Sequence, residues 1–220
     1  MQWNLSCFSD IVLDEPLEGD KIRLPHDILS QYLENEEGQD PTLQSAELEF
    51  PITFKIIHNT KELIVSVLDF SGEVDTVVIP QWMMYNLYPL QMGDKVSISV
   101  HSGGYGGQTI PHGTYVKFRA HDSEFLEISN PRAVLEHILR NYGLLNKFST
   151  LSFNYCDRQY NLDVIDTQPA SVISIINTDI RVDFDAPADY IDPTIDPTID
   201  PTIDPTIDPT IEPSLPPAPV

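Results

Sequence analysis

The chain has 220 residues, enough for one large domain or two small ones with a core that needs no disulfide or metal staple. Twelve Lys and Arg against 34 Asp and Glu leave a formal charge of −22, which argues against phosphate backbones and anionic lipid surfaces as partners: no nucleic acid and no membrane insertion are expected. Apolar residues make up 41% and aromatics 9%, adequate for a packed interior but unevenly spread along the chain.

Met1 to Pro16 carries no base and no apolar run of signal-peptide length, and no window approaches the roughly 18 apolar residues of a membrane span, so an intracellular, soluble protein is expected. The first helix is expected from Pro25, with Ile28, Leu29, Tyr32 and Leu33 at helical spacing. Strands are predicted over Ile52–Ile57, Leu63–Phe70, Thr76–Ile79, Lys95–Val100 and Thr114–Phe118. In the fourth, Val96, Ile98 and Val100 alternate with Ser97 and Ser99, which buries one face. A second short helix begins near Pro80 and ends by Pro89; many short strands with two brief helices point to a barrel.

Beyond about Ala120 the pattern changes. Asn130 and Pro131 open a helix as N-cap and first helical residue, Gly143 is its expected stop, and Val134, Leu135, Ile138, Leu139 and Tyr142 form its apolar stripe. Glu136 and Arg140 face solvent one turn apart. Strands Thr150–Tyr155, Gln159–Ile165 and Ser171–Ile176 follow, the first two joined tightly through Cys156-Asp157-Arg158, which makes a smaller α/β unit. The expected organisation is 1–120 barrel, 121–190 α/β roll and 191–220 tail.

From Ile191 to Thr210 the motif Ile-Asp-Pro-Thr repeats five times, and the last 30 residues hold nine of the 19 prolines and six acids with no base. A proline at every fourth position removes donors that a helix needs. An extended, negatively charged tail is expected. It reads either as a solvated spacer or as a multi-copy linear motif with Ile as the recurring anchor.

Catalytic chemistry finds no support. The glycine run at 103–107 lacks the Gly-Lys-Ser/Thr of a phosphate loop and no helix-forming stretch follows it, so it reads as a surface loop. None of His26, His58, His101, His112, His121 and His137 pairs at zinc-site spacing, and Glu136-His137 lacks the second His of a zinc-peptidase motif. Cys7 and Cys156 lie far apart and are expected as reduced, buried thiols. Trp82-Met83-Met84 reads as packing at a barrel end, with an adaptable binding surface as the other reading. No catalytic, cofactor or metal residue is assigned.

Five runs carry a resemblance: Gly19-Asp20-Lys21-Ile22-Arg23-Leu24-Pro25, Ile79 to Leu87 (IPQWMMYNL), Gly113 to Phe118 (GTYVKF), Phe125 to Glu136 (FLEISNPRAVLE) and Val182 to Pro187 (VDFDAP). In this order they resemble the ubiquitin fusion degradation protein 1 family over about residues 1–190. The resemblance implies a mixed α+β fold: an N-terminal double-psi β-barrel and a small α/β roll, similar to the N-terminal domain of the valosin-containing AAA ATPase. It also implies a non-catalytic adaptor without a cofactor. Such an adaptor binds ubiquitin and polyubiquitin chains, pairs with the nuclear protein localisation 4 homologue and delivers clients to that hexameric ATPase for proteasomal degradation. The expected setting is cytoplasmic and nuclear, with recruitment to the ER surface. Family members carry further segments for the heterodimer and for ATPase docking, where this sequence has its repeats; a scaffold whose repeats recruit another partner is therefore the alternative. A ubiquitin patch has no fixed spacing, so no residue is assigned to it.

Overall fold

The computed structural model describes residues 1–37, 52–102 and 109–190; the glycine run and the Ile-Asp-Pro-Thr tail lie outside the described residues. Six strands, β1 (Gln2–Ser9), β2 (Lys21–Pro25), β3 (Thr53–His58), β4 (Lys61–Gly72), β5 (Thr76–Ile79) and β6 (Lys95–Ser102), close a barrel in the order β1-β5-β2-β4-β3-β6. Parallel pairing of β1 with β5 and of β2 with β4 sits among antiparallel pairs, so the chain must cross over rather than run as a meander. This is the mixed barrel that the resemblance implies.

Alternation fills the interior. Leu5 and Cys7 of β1, Ile22 and Leu24 of β2 and Val96 and Ile98 of β6 are buried, with Phe54 fully enclosed between them. β1 and β2 are additions to the strands expected from the sequence. Helix α1 (His26–Glu37) starts one residue after the expected position, Pro25 closing β2, and inserts Ile28 and Tyr32 into the barrel end. Helix α2 (Gln81–Asn86) caps the barrel with fully buried Met83.

The remaining strands are β7 (Tyr115–Ala120), β8 (Leu144–Asn146), β9 (Thr150–Tyr155), β10 (Arg158–Gln168), β11 (Val172–Ser174) and β12 (Arg181–Phe184). They form a four-stranded sheet, β12-β7-β10-β9, and a two-stranded one, β11-β8. The strand expected at Thr114–Phe118 within the 1–120 barrel runs from Tyr115 to Ala120 and belongs to this second sheet, because its partners β10 and β12 come from later sequence. Helices α3 (Glu124–Glu127) and α4 (Pro131–Leu139) accompany it, and Phe118, Phe125 and Leu162 lie in its core.

Asn130 caps α4 as expected, its Oδ1 accepting the Ala133 N–H at 3.1 Å. Gly143 is not the stop: the helix ends at Leu139, and Arg140 is its C-cap residue. Gly143 serves close approach instead, since a Cβ there would lie 2.9 Å from Ser66 Oγ. Glu136 pairs with Arg132 one turn earlier rather than with Arg140. Cys7 is buried in the barrel, where desolvation and Asp94 push its thiol up to about 12. Cys156, expected to be buried, is exposed, because it occupies with Asp157 the two left-handed positions (φ 48° and 61°) of the β9–β10 turn.

Three polar clamps tie the barrel to the second sheet. Buried Asp20 accepts the N–H groups of Gly143 (2.8 Å) and Leu144 (2.9 Å) and the Ser66 hydroxyl (3.1 Å). Asn86 exchanges hydrogen bonds with the Thr150 backbone at 2.7 and 2.8 Å, and Asn146 with that of Ile64 at 2.8 and 3.0 Å. Gly19, at φ +69°, brings the strand in; a Cβ there would sit 1.9 Å from Asn141 O. Between the clamps Trp82 packs against both cores, its ring 5.9 Å from that of Tyr142.

Burial pushes the Asp20 carboxyl above its ordinary range, against the pull of the Gly143 amide, Lys21, Ser66 and the Leu144 amide. Asp163 goes the other way: desolvation raises it, but hydrogen bonds from His121, Arg119 and Thr150 outweigh that and hold it below the ordinary range.

Asp20→Ala orphans two buried amides, each costing about 1–3 kcal/mol, so urea unfolding is expected to show a loss of about 2–6 kcal/mol; a loss under about 0.5 kcal/mol would deny the clamp its role. For Asp163 the lowered value means stability present above about pH 4 and lost as pH falls through the folded value. The thermal-midpoint gap between wild type and Asp163→Asn should therefore narrow on acidification, and a gap that widens contradicts this assignment.

Candidate functional site

The seam between barrel and sheet opens on one side as a groove of about 250 Å³. Its walls are the turn Asp10–Val12, the Pro16-Leu17 segment, the start of α2 and the β9–β10 hairpin. The volume lies below that of ordinary small-molecule sites and matches one or two side chains of a partner.

Asp10 builds the groove. Its Oδ1 accepts the Gln81 N–H at 2.9 Å, satisfying a first-turn donor of α2 that Pro80, without a capping side chain, leaves open. Its Oδ2 accepts the Leu17 N–H at 3.1 Å, so one buried carboxylate fixes both lips. Trp82 forms part of the floor, and its Nε1–H donates to Gly19 O at 3.2 Å.

On this frame sit apolar side chains that the core does not use. Ile11 is 57% exposed, Val12 56% and Tyr85 65%, with Tyr85 OH accepting from Gln81 Nε2 at 3.3 Å. Asp14, Glu15 and Glu18 are exposed on the segment that flanks the groove residues Pro16 and Leu17, and no base occurs before Lys21. The result is an apolar ridge with one acidic lip, an arrangement suited to a partner whose apolar patch has a basic rim.

Trp82-Met83-Met84 follows the core reading: Met83 is fully buried and the other two pack against the barrel interior. The outward residue of that run is Tyr85. The histidines are scattered. His58 meets Leu87 O, His112 meets Thr178 and His121 meets Asp163, while His26 and His137 are exposed. His101 lines a different concavity beside Lys55. Among the described residues no three His, Cys, Asp or Glu side chains converge on a metal position, and no helix is long and apolar enough to cross a membrane. Ile11 and Val12 had a trace in the sequence, the apolar run Ile11-Val12-Leu13 directly before Asp14-Glu15-Pro16, but no periodicity marks them as exposed.

A closed mixed barrel clamped to a small α/β sheet defines a two-part module. The chain matches the family models described as ubiquitin fusion degradation protein UFD1, N-terminal subdomain 1, over residues 2–103, and N-terminal subdomain 2, over residues 112–187. It belongs to the ubiquitin fusion degradation protein 1 family. It is 32% identical over 195 residues to the ubiquitin recognition factor in ER-associated degradation protein 1 of Homo sapiens, covering 85% of this chain and 57% of that protein. With the ubiquitin fusion degradation protein 1 homolog of Dictyostelium discoideum it shares 34% over 173 residues, 78% of this chain and 47% of the relative. The Schizosaccharomyces pombe ubiquitin fusion degradation protein 1 is 39% identical over 127 residues, 56% and 35% of the two chains. The chain thus spans about half the length of these first two relatives.

The groove assignment separates fold from surface. Tyr85→Ala should change the unfolding free energy by less than about 0.5 kcal/mol, whereas its neighbour Met83→Ala should cost about 2–5 kcal/mol. Equal losses in chemical denaturation would return Tyr85 to the core.

Proposed function

We propose that this chain is a non-catalytic ubiquitin-binding adaptor that brings polyubiquitinated proteins to a hexameric AAA ATPase of the valosin-containing type for extraction and degradation. The observation that carries the reading is the match to both family subdomains, together with relatives whose names state ubiquitin recognition in ER-associated degradation. The nuclear protein localisation 4 homologue is the proposed co-adaptor, and cytosol, nucleus and ER surface are the proposed places of action.

Physical support comes from the seam groove. Ubiquitin's usual recognition surface is apolar with a basic rim, and the Ile11-Val12-Tyr85 ridge beside Asp14, Glu15 and Glu18 complements it in both respects. The anchors are mounted on the Asp10–Val12 turn and on α2, which the Asp10 carboxylate ties together, and this limits the ordering cost of binding. Three anchors on a small patch give modest affinity for one ubiquitin, and a chain of linked ubiquitins raises it through effective concentration.

Titration of the isotope-labelled full chain with mono- and polyubiquitin is expected to shift amide signals of residues 11–18 and 81–85 in NMR spectra. Ile11→Asp and Tyr85→Ser should each weaken binding at least about 5-fold, near 1 kcal/mol. Flat spectra at millimolar ubiquitin remove the ubiquitin reading. Shifts elsewhere, with both variants binding normally, keep ubiquitin but move it off this groove.

A further inference from the structure

A second concavity, larger than the seam groove, lies between α4 and residues 175–182, with a volume of about 870 Å³. Its floor and walls are aliphatic: Leu135 and Leu139 from the helix, and Ile175, Ile176, Ile180 and Val182 from the facing segment. Around this floor stand Arg132, Arg140 and Arg181. They are three of only six arginines in a chain of charge −22. Such a concentration runs against the composition of the whole molecule.

The other three arginines are each committed to a carboxylate of the fold: Arg23 to Asp69 (3.0 Å), Arg119 to Asp163 (2.9 Å) and Arg158 to Glu124. Those of the groove are held loosely. Arg140 has no ion-pair partner among the described residues. Arg132 meets only Glu136 at 3.3 Å in an exposed pair, and Arg181 meets Asp183 at 3.6 Å with its guanidinium 4.7 Å from the Tyr115 ring centroid. Exposed pairs of this kind contribute little and exchange readily for a better acceptor. Glu136 and Asp179 are the acids of the lining, and with Asp183 on Arg181 they balance the three arginines, so the groove is locally neutral on a strongly acidic chain and Arg140 is left to meet an incoming carboxylate.

Spacing adds a length scale. Arg132, Leu135, Glu136, Leu139 and Arg140 follow i, i+3, i+4, i+7, i+8 and share one face of α4. Eight residues of helix separate the two arginines by about 12 Å along the axis, at about 1.5 Å per residue. An extended peptide covers that span in about four residues at roughly 3.3 Å each. A compact metabolite does not bridge two such points, whereas a peptide with carboxylates four residues apart and an aliphatic residue between them meets both and fills the floor. Planar guanidinium groups bind carboxylates through paired, geometrically matched hydrogen bonds.

We infer that the groove between α4 and residues 175–182 docks an extended acidic segment of a partner protein, its carboxylates on Arg132, Arg140 and Arg181 and its aliphatic side chains on Leu139, Ile176 and Ile180. The site is separate from the seam groove, and its charge preference is opposite.

The test uses the full chain and a fluorescent twelve-residue peptide with Asp at every fourth position and Leu between, read by anisotropy. Binding is expected, falling at least about 10-fold in Arg140→Glu and in Ile176→Asp, with Tyr85→Ala unchanged. It should weaken as salt rises from about 0.05 to 0.5 M, as an interaction between exposed charges must. A peptide with Lys in place of Asp should not bind. Circular dichroism and thermal midpoints of both variants check that the fold is intact; a variant that unfolds is replaced by Arg140→Ala, for which the same loss is expected. Equal affinity for the acidic and basic peptides, or undiminished binding by folded variants, overturns the inference. So does concentration-dependent self-association abolished by Arg140→Glu, which gives the groove to a second copy, or binding to anionic vesicles in preference to the peptide.

Discussion

A single buried carboxylate sets the relation between the two halves of the folded region. Asp20 leaves the barrel at the start of β2 and ends on the amides of Gly143 and Leu144, the point where the chain turns from α4 into β8. Those amides are otherwise donors without acceptors in a buried turn, and the helix before them ends on Arg140 without a glycine cap. Joining the halves and terminating the helix are therefore one event. The lack of Cβ at Gly19 and Gly143 is part of the same device, since each allows a backbone or side-chain oxygen closer than any other residue would permit.

From that clamp the surfaces follow. With Asp20, Asn86 and Asn146 holding the halves, Trp82 is trapped against both cores, and the start of α2 is left facing the β9–β10 hairpin. Asp10 then ties the turn at 10–12 to the same helix, which carries Ile11, Val12 and Tyr85 to the outside. A ridge mounted this way loses little conformational entropy when it meets a partner, in contrast to anchors on a loop. The same rigidity explains why Met83 and Tyr85, two residues apart on α2, have such different environments: helical geometry turns one inward and the other outward by about 200°.

Much of the fold was legible because it rests on local pattern. The alternation of Val96, Ile98 and Val100, the Asn130-Pro131 start of α4 and the tight turn at Cys156-Asp157 are signals carried by neighbouring residues, and the structure retains each. What escaped depends on distant partners. β7 reads like any barrel strand until β10 and β12 claim it, Gly143 looks like a helix stop until Ser66 and Asp20 are placed against it, and Cys156 looks like a core thiol until a turn takes it. The family runs at 19–25, 79–87 and 125–136 stood out for the same reason. They contain the clamp Asp20, the bridge Trp82 and the cap Asn130, residues that hold the fold, while the groove residues lie partly outside them.

Net charge describes this protein poorly once its surfaces are resolved. A charge of −22 implies repulsion of anything acidic at long range, yet screening confines each charge to about 8–10 Å at physiological salt, so a partner at contact senses only the local set. At the seam that set is Asp14, Glu15 and Glu18 without a base; beside α4 it is three arginines against Glu136, Asp179 and the Asp183 paired to Arg181. The two grooves therefore select opposite partners on one rigid body. Tyr142 lines one groove and Trp82 the other, with their rings 5.9 Å apart, yet no charged side chain lines both, so each rim presents its own set of charges to a partner.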